Sequence, residues 1–140
     1  MFKYQHALHA GNHADVFKHS CLIYIYKILK KHHKSINYID THAGSGLYLY
    51  SNECMKNTMS YKKGIEKIAL FKSKNQHIKY YIKTIRNINN SKKLTFYPGS
   101  PIIMNYLSDQ NDRLFFYEID KIEINLLKKH ISHDPNSKVF

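Results

Sequence analysis

The sequence is short of the residues and runs that mark several classes of protein. Cysteine occurs twice, at Cys21 and Cys54, and neither lies at metal-ligand spacing or within a disulfide framework. There is no run of eighteen apolar residues and no secretory signal at the N-terminus. These absences exclude a membrane-spanning helix and predict a soluble cytoplasmic protein, with 140 residues in one compact domain.

Acidic residues are also scarce, and the resulting positive charge is unevenly distributed. The net charge is +12, and residues 52–95 hold eleven basic and two acidic residues. Residues 1–51 carry a net charge of +4 and residues 96–140 a net charge of −1. A mutational bias toward A+T could also enrich lysine, but it should spread lysine evenly. The concentration therefore favours contact between residues 52–95 and RNA or DNA.

Hydrophobic periodicity predicts the first elements. A helix is predicted to begin after Asn12, a candidate N-cap, and to end in the basic run 30–34. The apolar residues at helical spacing are Ala14, Phe17, Cys21, Tyr24, Ile25 and Ile28. The β-prone stretch from Ile36 to Asp40 predicts a strand, and the small residues of THAGSG predict a turn after it.

The remaining elements complete an α/β pattern. Two short amphipathic helices are predicted within residues 52–92, which form an inserted basic helical subdomain. The later elements are a strand in LTFYP, a helix from Ser100 to about Leu107, a strand ending at Glu118, a helix over 121–131 and a strand beginning at Lys138. This order predicts a mainly parallel sheet.

Two carboxylates, Asp40 and Glu118, are predicted at the ends of strands. Ligands of open α/β sheets bind beyond the carboxyl ends of the strands. The glycines of DTHAGSG allow backbone to approach a ligand closely, and an acid after the next strand is placed to accept hydrogen bonds from ribose hydroxyls. An acid at this position more often caps a helix, so both interpretations stay open on the residues alone.

Three sequence blocks carry a family resemblance. HAGNHADVFKH, YIDTHAGSGLY and FYPGSP occur in this order, and together they resemble the ribosomal RNA large subunit methyltransferase J family. Members of that family are adenine-N6 methyltransferases of 23S ribosomal RNA that use S-adenosyl-L-methionine. The resemblance spans residues 1–140 and implies a Rossmann-like S-adenosylmethionine-dependent methyltransferase fold with an inserted helical subdomain.

The resemblance also implies roles for individual residues. Four of them match cofactor-contacting positions: His19, His42, Ser100 and Glu118. Glu118 would hold the ribose hydroxyls, while His42 and the backbone of 44–46 would border the methionine part. Tyr4 matches a position that contacts the RNA. Ser45 and Leu47 stand where the family usually has alanine and arginine, so the resemblance implies the fold of the turn but not the local polar contact of that arginine.

Four of the ten histidines lie in the first nineteen residues: His6, His9, His13 and His19. Zinc needs about four converging ligands, but Gly11-Asn12 interrupts any helix that would align these rings, and no cysteine or acid lies at a supporting spacing. We therefore predict no metal site. The segment is either a polar arm over the cofactor and target-base pocket, or a turn whose buried backbone groups are satisfied by His9 and His13.

No catalytic residue is predicted. Adenine-N6 transfer requires the base to be flipped out and its amine to be aligned with the methyl group, and the family uses Asp-Pro-Pro-Tyr for this. The motif is absent, and Asp134-Pro135 is predicted to lie in a turn. The chain supplies the N-terminal half of the expected sheet and leaves strand 36–40 as an open edge. We expect an incomplete enzyme that is inactive alone; the alternatives are a non-catalytic RNA-binding remnant and one subunit completed by a separately encoded C-terminal half.

Overall fold

Helices and strands alternate along most of the chain. The computed structural model describes residues 6–91, 93–131 and 134–140. The helices are α1 (His13–His32), α2 (Glu53–Thr58), α3 (Lys67–Leu70), α4 (Gln76–Asn89), α5 (Ser100–Leu107) and α6 (Lys121–His130). The strands are β1 (Asn37–Asp40), β2 (Leu47–Leu49), β3 (Phe96–Pro98), β4 (Arg113–Phe116) and β5 (Ser137–Val139). The described residues also form a short 3-10 turn at His6–Leu8 and a π-helical turn at Lys62–Glu66.

The chain divides into two units. The unit termed here the helical unit comprises Met1–Ser20 and Tyr48–Tyr97, and the unit termed the sheet unit comprises Cys21–Leu47 and Pro98–Phe140. No described helix is both long enough and apolar enough to cross a membrane. The inserted subdomain predicted over residues 52–92 falls within the helical unit, and its status as an insertion stays a prediction.

Three parallel strands form the sheet of the sheet unit. β4 lies between β1 and β5, and Asp40 pairs with Phe116 in the parallel register. The strands at 36–40 and 138–140 were therefore predicted correctly, as was the parallel arrangement. β1 is an edge strand in the described part of the chain, so one side of its backbone is available for a further strand.

One face of this sheet carries the core of the sheet unit. Leu114 and Phe116 of β4 are fully buried there, and helices α1, α5 and α6 cover them with Tyr26, Met104, Leu127 and Ile131. On the opposite face Ile39 is 61% exposed. Parallel sheets are normally covered on both faces, and the apolar surface of this second face is formed by the exposed Ile39 and the half-buried Phe115, beside exposed polar residues.

Helix α1 forms as predicted but buries a different face. The Asn12 side chain accepts a hydrogen bond from the Asp15 amide at 3.0 Å, as an N-cap does. The predicted apolar stripe is largely exposed, with Phe17 73% and Ile25 54% exposed. The buried face consists of Asp15, Val16, His19, Ile23 and Tyr26. His19 and Tyr26 of that face have buried hydrogen-bond partners distant in sequence, which periodicity of apolar residues does not reveal.

Asp112 is the polar centre of the sheet unit. Its side chain is fully buried and accepts hydrogen bonds from the Tyr26 hydroxyl at 2.7 Å, the Ile36 amide at 2.8 Å and the Lys30 ammonium at 3.0 Å. Burial opposes ionisation, but hydrogen bonds from Tyr26, the Asp109 amide and Lys30 outweigh it and hold the pKa of Asp112 below its ordinary value. This buried carboxylate therefore ties α1 to the starts of β1 and β4.

The helical unit is built on α4 and a close backbone contact. Tyr81, Ile82 and Ile85 of α4 are buried, which confirms the predicted amphipathic helix. The Ile65 amide donates to the Gly11 carbonyl at 2.9 Å. A Cβ on Gly64 would lie 2.1 Å from that carbonyl oxygen, so only glycine permits this approach.

Candidate functional site

Asp40, the last residue of β1, accepts three hydrogen bonds. Its Oδ2 accepts from the Ser100 hydroxyl at 2.6 Å and from the Tyr38 hydroxyl at 3.1 Å, and its Oδ1 accepts from the His42 amide at 3.1 Å. Burial, followed by the negative charge of Asp40, raises the pKa of Tyr38 far above its ordinary value, so this phenol remains a donor. Asp40 thus fixes the start of the loop after β1 and the N-terminus of α5.

The loop after Asp40 is shaped by two glycines. Gly44 and Gly46 have φ angles of +61° and +78°, which L-residues with side chains rarely adopt. A Cβ on Gly46 would lie 2.8 Å from Leu127. The Gly46 carbonyl accepts from the Gly99 amide at 2.7 Å. The loop therefore packs closely against α5 and α6. The turn predicted from the small residues of THAGSG is present.

Glu118 joins this loop to the end of β4. Its Oε2 accepts from the Gly44 amide at 2.8 Å, and its Oε1 accepts from the Ile119 and Asp120 amides at 2.8 and 2.9 Å. The strand ends at Phe116, so the prediction that it reaches Glu118 was two residues too long. Backbone pairing nevertheless continues to Glu118, whose amide donates to the Phe140 carbonyl at 3.2 Å, and the Glu118 carboxylate stabilises the turn that follows.

The Glu118 carboxylate keeps some capacity for a ligand. A carboxylate has about four lone-pair sites, and the three backbone amides leave one of them, on Oε2. Ile119 beside it is 96% exposed. The alternative interpretation of Glu118 as the cap of the next helix is wrong, because Asp120 caps α6 by accepting from the Ile122 and Glu123 amides.

The structure gathers three of the four predicted cofactor residues at one edge. His42, Ser100 and Glu118 belong to the sheet unit, beyond the carboxyl ends of β1 and β4. The His42 ring is exposed, with its Nδ1 2.9 Å from the Thr41 hydroxyl. Tyr4, predicted to contact RNA, lies outside the described residues. The cofactor and RNA roles of all these residues stay predictions.

His19 has a different setting, in the helical unit. It is 1% exposed, and its Nδ1 lies 2.7 Å from the hydroxyl of Tyr97, whose ring stacks on the imidazole. The Tyr97 hydroxyl lies 3.2 Å from that of Tyr81. The apolar spacing of α4 includes Tyr81, but no sequence pattern shows that the hydroxyls of Tyr81 and Tyr97 are hydrogen-bonded in the core.

The N-terminal turn is stabilised by an acid that sequence reasoning also missed. The Gly11 amide donates to the buried Asp15 carboxylate at 3.0 Å, whereas His9 and His13 are exposed. Within residues 6–91, 93–131 and 134–140, no three histidine, cysteine or acidic side chains converge as metal ligands would.

Comparison with known proteins identifies the family. A family model described as "Ribosomal RNA large subunit methyltransferase D, RlmJ" matches residues 33–140. The chain belongs to this family. It is 36% identical over 139 residues to ribosomal RNA large subunit methyltransferase J of Escherichia coli K12, a match covering 99% of the chain and 50% of that protein. The protein of the same name from Haemophilus influenzae is 37% identical over 140 residues, again covering 99% and 50%.

A solved structure confirms the fold class. The crystal structure of protein LPL1258 from Legionella pneumophila superimposes with a TM-score of 0.78 at 34% identity, covering 94% of this chain and 48% of that one. The fold is thus an incomplete Rossmann-like methyltransferase fold, as predicted, and the family is that of the rRNA methyltransferases. The chain spans about half the length of the curated relatives it matches.

Proposed function

We propose that this chain is the cofactor-binding half of an S-adenosyl-L-methionine-dependent 23S rRNA adenine-N6 methyltransferase. The observation that carries the proposal is the polar edge formed by Asp40, Ser100 and Glu118 around the Gly44–Gly46 turn. Two adjacent parallel strands place these groups together, where open α/β sheets bind nucleotides and related cofactors.

The residues present fit S-adenosylmethionine. The remaining acceptor site of Glu118 suits a ribose hydroxyl, and the exposed Ile119 side chain offers apolar area to an adenine ring. The positive-φ glycines permit close approach of loop backbone. His42 would border the methionine part, and Ser100 would act through its hydrogen bond to Asp40.

The chemistry divides between cofactor and protein. S-adenosylmethionine supplies an electrophilic methyl group on its sulfonium. The residues of this chain bind and orient it: Glu118 holds the ribose, and the Asp40–Ser100–Tyr38 hydrogen bonds keep the loop rigid. Rigid positioning matters because alignment of amine and methyl supplies much of the reduction in the barrier.

We further propose that the 140-residue chain does not methylate RNA by itself. Its sequence contains no Asp-Pro-Pro-Tyr, so the groups that would grip the flipped adenine are not in this chain. A C-terminal half that carries this motif would complete the site, and the open β1 edge with exposed Ile39 favours pairing with such a half.

Binding of the demethylated product, S-adenosylhomocysteine, tests the cofactor site. Glu118→Gln should weaken binding by about tenfold to a hundredfold, because a hydrogen bond to a charged group contributes about 1.5–3 kcal/mol. Isothermal titration calorimetry measures this, and Glu53→Gln, an exposed acid of α2, is the matched control. Equal affinity for wild type and a folded Glu118→Gln variant would refute the proposed ribose contact.

Salt dependence tests the RNA partner. If lysines of the helical unit contact phosphates, RNA affinity should fall steeply with salt, with a log–log slope of about −0.7 to −0.9 for each neutralised phosphate. Changing Lys62, Lys63, Lys79 and Lys83 to glutamate should flatten that slope. Fluorescence anisotropy of a labelled 23S rRNA fragment gives the slope. An unchanged slope in a folded variant counts against RNA contact by residues 52–95.

A further inference from the structure

The helical unit contains a large groove beside α4. Its volume is about 1120 Å³. One wall is the end of α3 with the segment that follows it, Ala69–Lys74, and the other is one face of α4 with the residues after it. The groove is lined by Ala69, Leu70, Phe71, Lys72, Ser73, Lys74, Lys79, Ile82, Lys83, Arg86, Asn87, Asn90 and Ser91.

The charge of this groove has a single sign. Five of the lining residues are basic, namely Lys72, Lys74, Lys79, Lys83 and Arg86, and no acid is among the described residues that line it. Cations gathered around one concavity raise the local positive potential more than the same cations spread over a convex surface. The occupant that complements the groove is therefore an anion with several charges.

The groove also has an apolar element. Phe71 is 67% exposed and Leu70 is 84% exposed, while Ile82 beneath them is buried. An exposed aromatic ring among lysines provides a stacking platform for a nucleobase, since every base has a π-face. An acidic peptide would use the charges but not the ring, so the combination favours single-stranded nucleic acid over an acidic protein.

Hydrogen bonds hold the two walls together. The Arg86 guanidinium donates to the Ala69 carbonyl at 2.9 Å across the groove. Asn75 caps α4 by accepting from the His77 and Ile78 amides. These hydrogen bonds fix both ends of the segment between α3 and α4. The backbone at Phe71 is therefore constrained, and stacking of its ring on a base costs little backbone entropy.

We propose that this groove binds a single-stranded segment of RNA, with its lysines on successive phosphates and Phe71 under a base. The inference rests on the proposed function, in which the chain is half of an enzyme that methylates ribosomal RNA, and deepens it by naming the binding surface and the strandedness of the RNA. RNA binding to the groove requires no cofactor, so the groove and the cofactor site can be tested in separate experiments.

A tryptophan at position 71 reports stacking directly. The sequence contains no tryptophan, so Phe71→Trp provides a single indole signal. Titration with a twelve-nucleotide single-stranded RNA should quench it, and the same RNA in a duplex, whose bases are already stacked, should quench it several-fold less. RNA binding detected by anisotropy without any indole quenching would overturn the stacking role.

Two matched sets of lysine substitutions distinguish RNA binding in the groove from nonspecific electrostatic attraction to the whole unit. Changing Lys72, Lys74, Lys79 and Lys83 to glutamine should weaken RNA binding at least about tenfold and reduce the salt slope by about 3, for four lost phosphate contacts on a single strand. The same change at Lys18, Lys56, Lys67 and Lys93, exposed basic residues of the same unit outside the groove, should weaken it less than about threefold. Equal losses in the two sets would overturn the groove.

Phe71→Leu separates stacking from charge. It should lower affinity by about fivefold to a hundredfold, the range for one stacked base, and leave the salt slope unchanged. Polyglutamate of equal charge should displace the RNA poorly; efficient displacement would overturn RNA as the occupant in favour of an acidic protein. Retained S-adenosylhomocysteine binding in these variants shows that any loss belongs to the groove.

Discussion

Mixing this chain with the C-terminal half of a related enzyme should produce adenine methylation that neither piece performs alone. In the proposed function the chain supplies the cofactor edge, and the added half supplies Asp-Pro-Pro-Tyr. We expect a rate at least about a hundredfold above that of either piece, because misplacement of reacting groups by 1 Å already costs about that factor. Transfer of labelled methyl from S-adenosylmethionine to a 23S rRNA fragment measures it.

The uncovered face of the sheet provides a control for this complementation. Ile39→Lys places a charge on the exposed face of β1 and should abolish the restored activity, because burying an unpaired ammonium is strongly unfavourable. Ile122→Lys, at a residue of α6 that is 65% exposed, should leave it intact. If the chain alone methylates adenine at a rate removed by Glu118→Ala, the claim that it lacks a catalytic centre is wrong.

Asp112→Ala should be the most destabilising single change in the sheet unit. Removing the carboxylate takes away the acceptor of the Ile36 amide, while the Tyr26 hydroxyl keeps the Leu107 carbonyl and the Lys30 ammonium keeps Asp109. An unsatisfied buried donor costs about 1–3 kcal/mol, and each lost hydrogen bond to the charged group about 1.5–3 kcal/mol, so we expect a loss of at least about 3 kcal/mol of unfolding free energy. Asp109→Ala removes the more exposed partner of Lys30 and should cost less than about 1 kcal/mol. Urea denaturation gives both values.

The pKa of Asp112 also predicts the direction of a pH effect. Because the folded-state pKa lies below the ordinary value, the stability it contributes is complete above the unfolded pKa of about 3.9 and is lost as pH falls through the folded pKa. Wild-type unfolding free energy should therefore decrease below about pH 4. Asp112→Asn should reduce that decrease, and an identical pH dependence in the variant would exclude this role for Asp112.

Local signals in the sequence were sufficient for most elements. Asn12 and the basic run at 30–34 defined α1, apolar spacing defined α4, and Ser100-Pro101 marked the start of α5. The glycines of the THAGSG turn indicated a backbone that only glycine adopts, and the structure gives Gly44 and Gly46 positive φ. These features depend on neighbours within a few residues, which a single sequence displays.

Contacts between distant residues were not accessible in the same way. His19 meets Tyr97 across 78 positions, and Tyr26 meets Asp112 across 86. These pairs determine which face of α1 is buried. The apolar residues predicted to face the core, such as Phe17, are therefore exposed. Likewise, the Gly44 amide donates to Glu118 across 74 positions, and no local pattern shows this contact.

Amide chemical shifts during titration with S-adenosylhomocysteine test the proposed cofactor site most directly. Binding at the carboxyl edge of β1 and β4 should shift the Gly44, Ile119 and Asp120 amides, which donate to Glu118. The amide of Val139, a sheet residue outside the proposed site, should not move. Saturable shifts confined to the loops after β1 and β4 are the predicted result. Saturable binding that leaves these three amides unmoved would contradict the proposal that this chain carries the cofactor half of the methyltransferase.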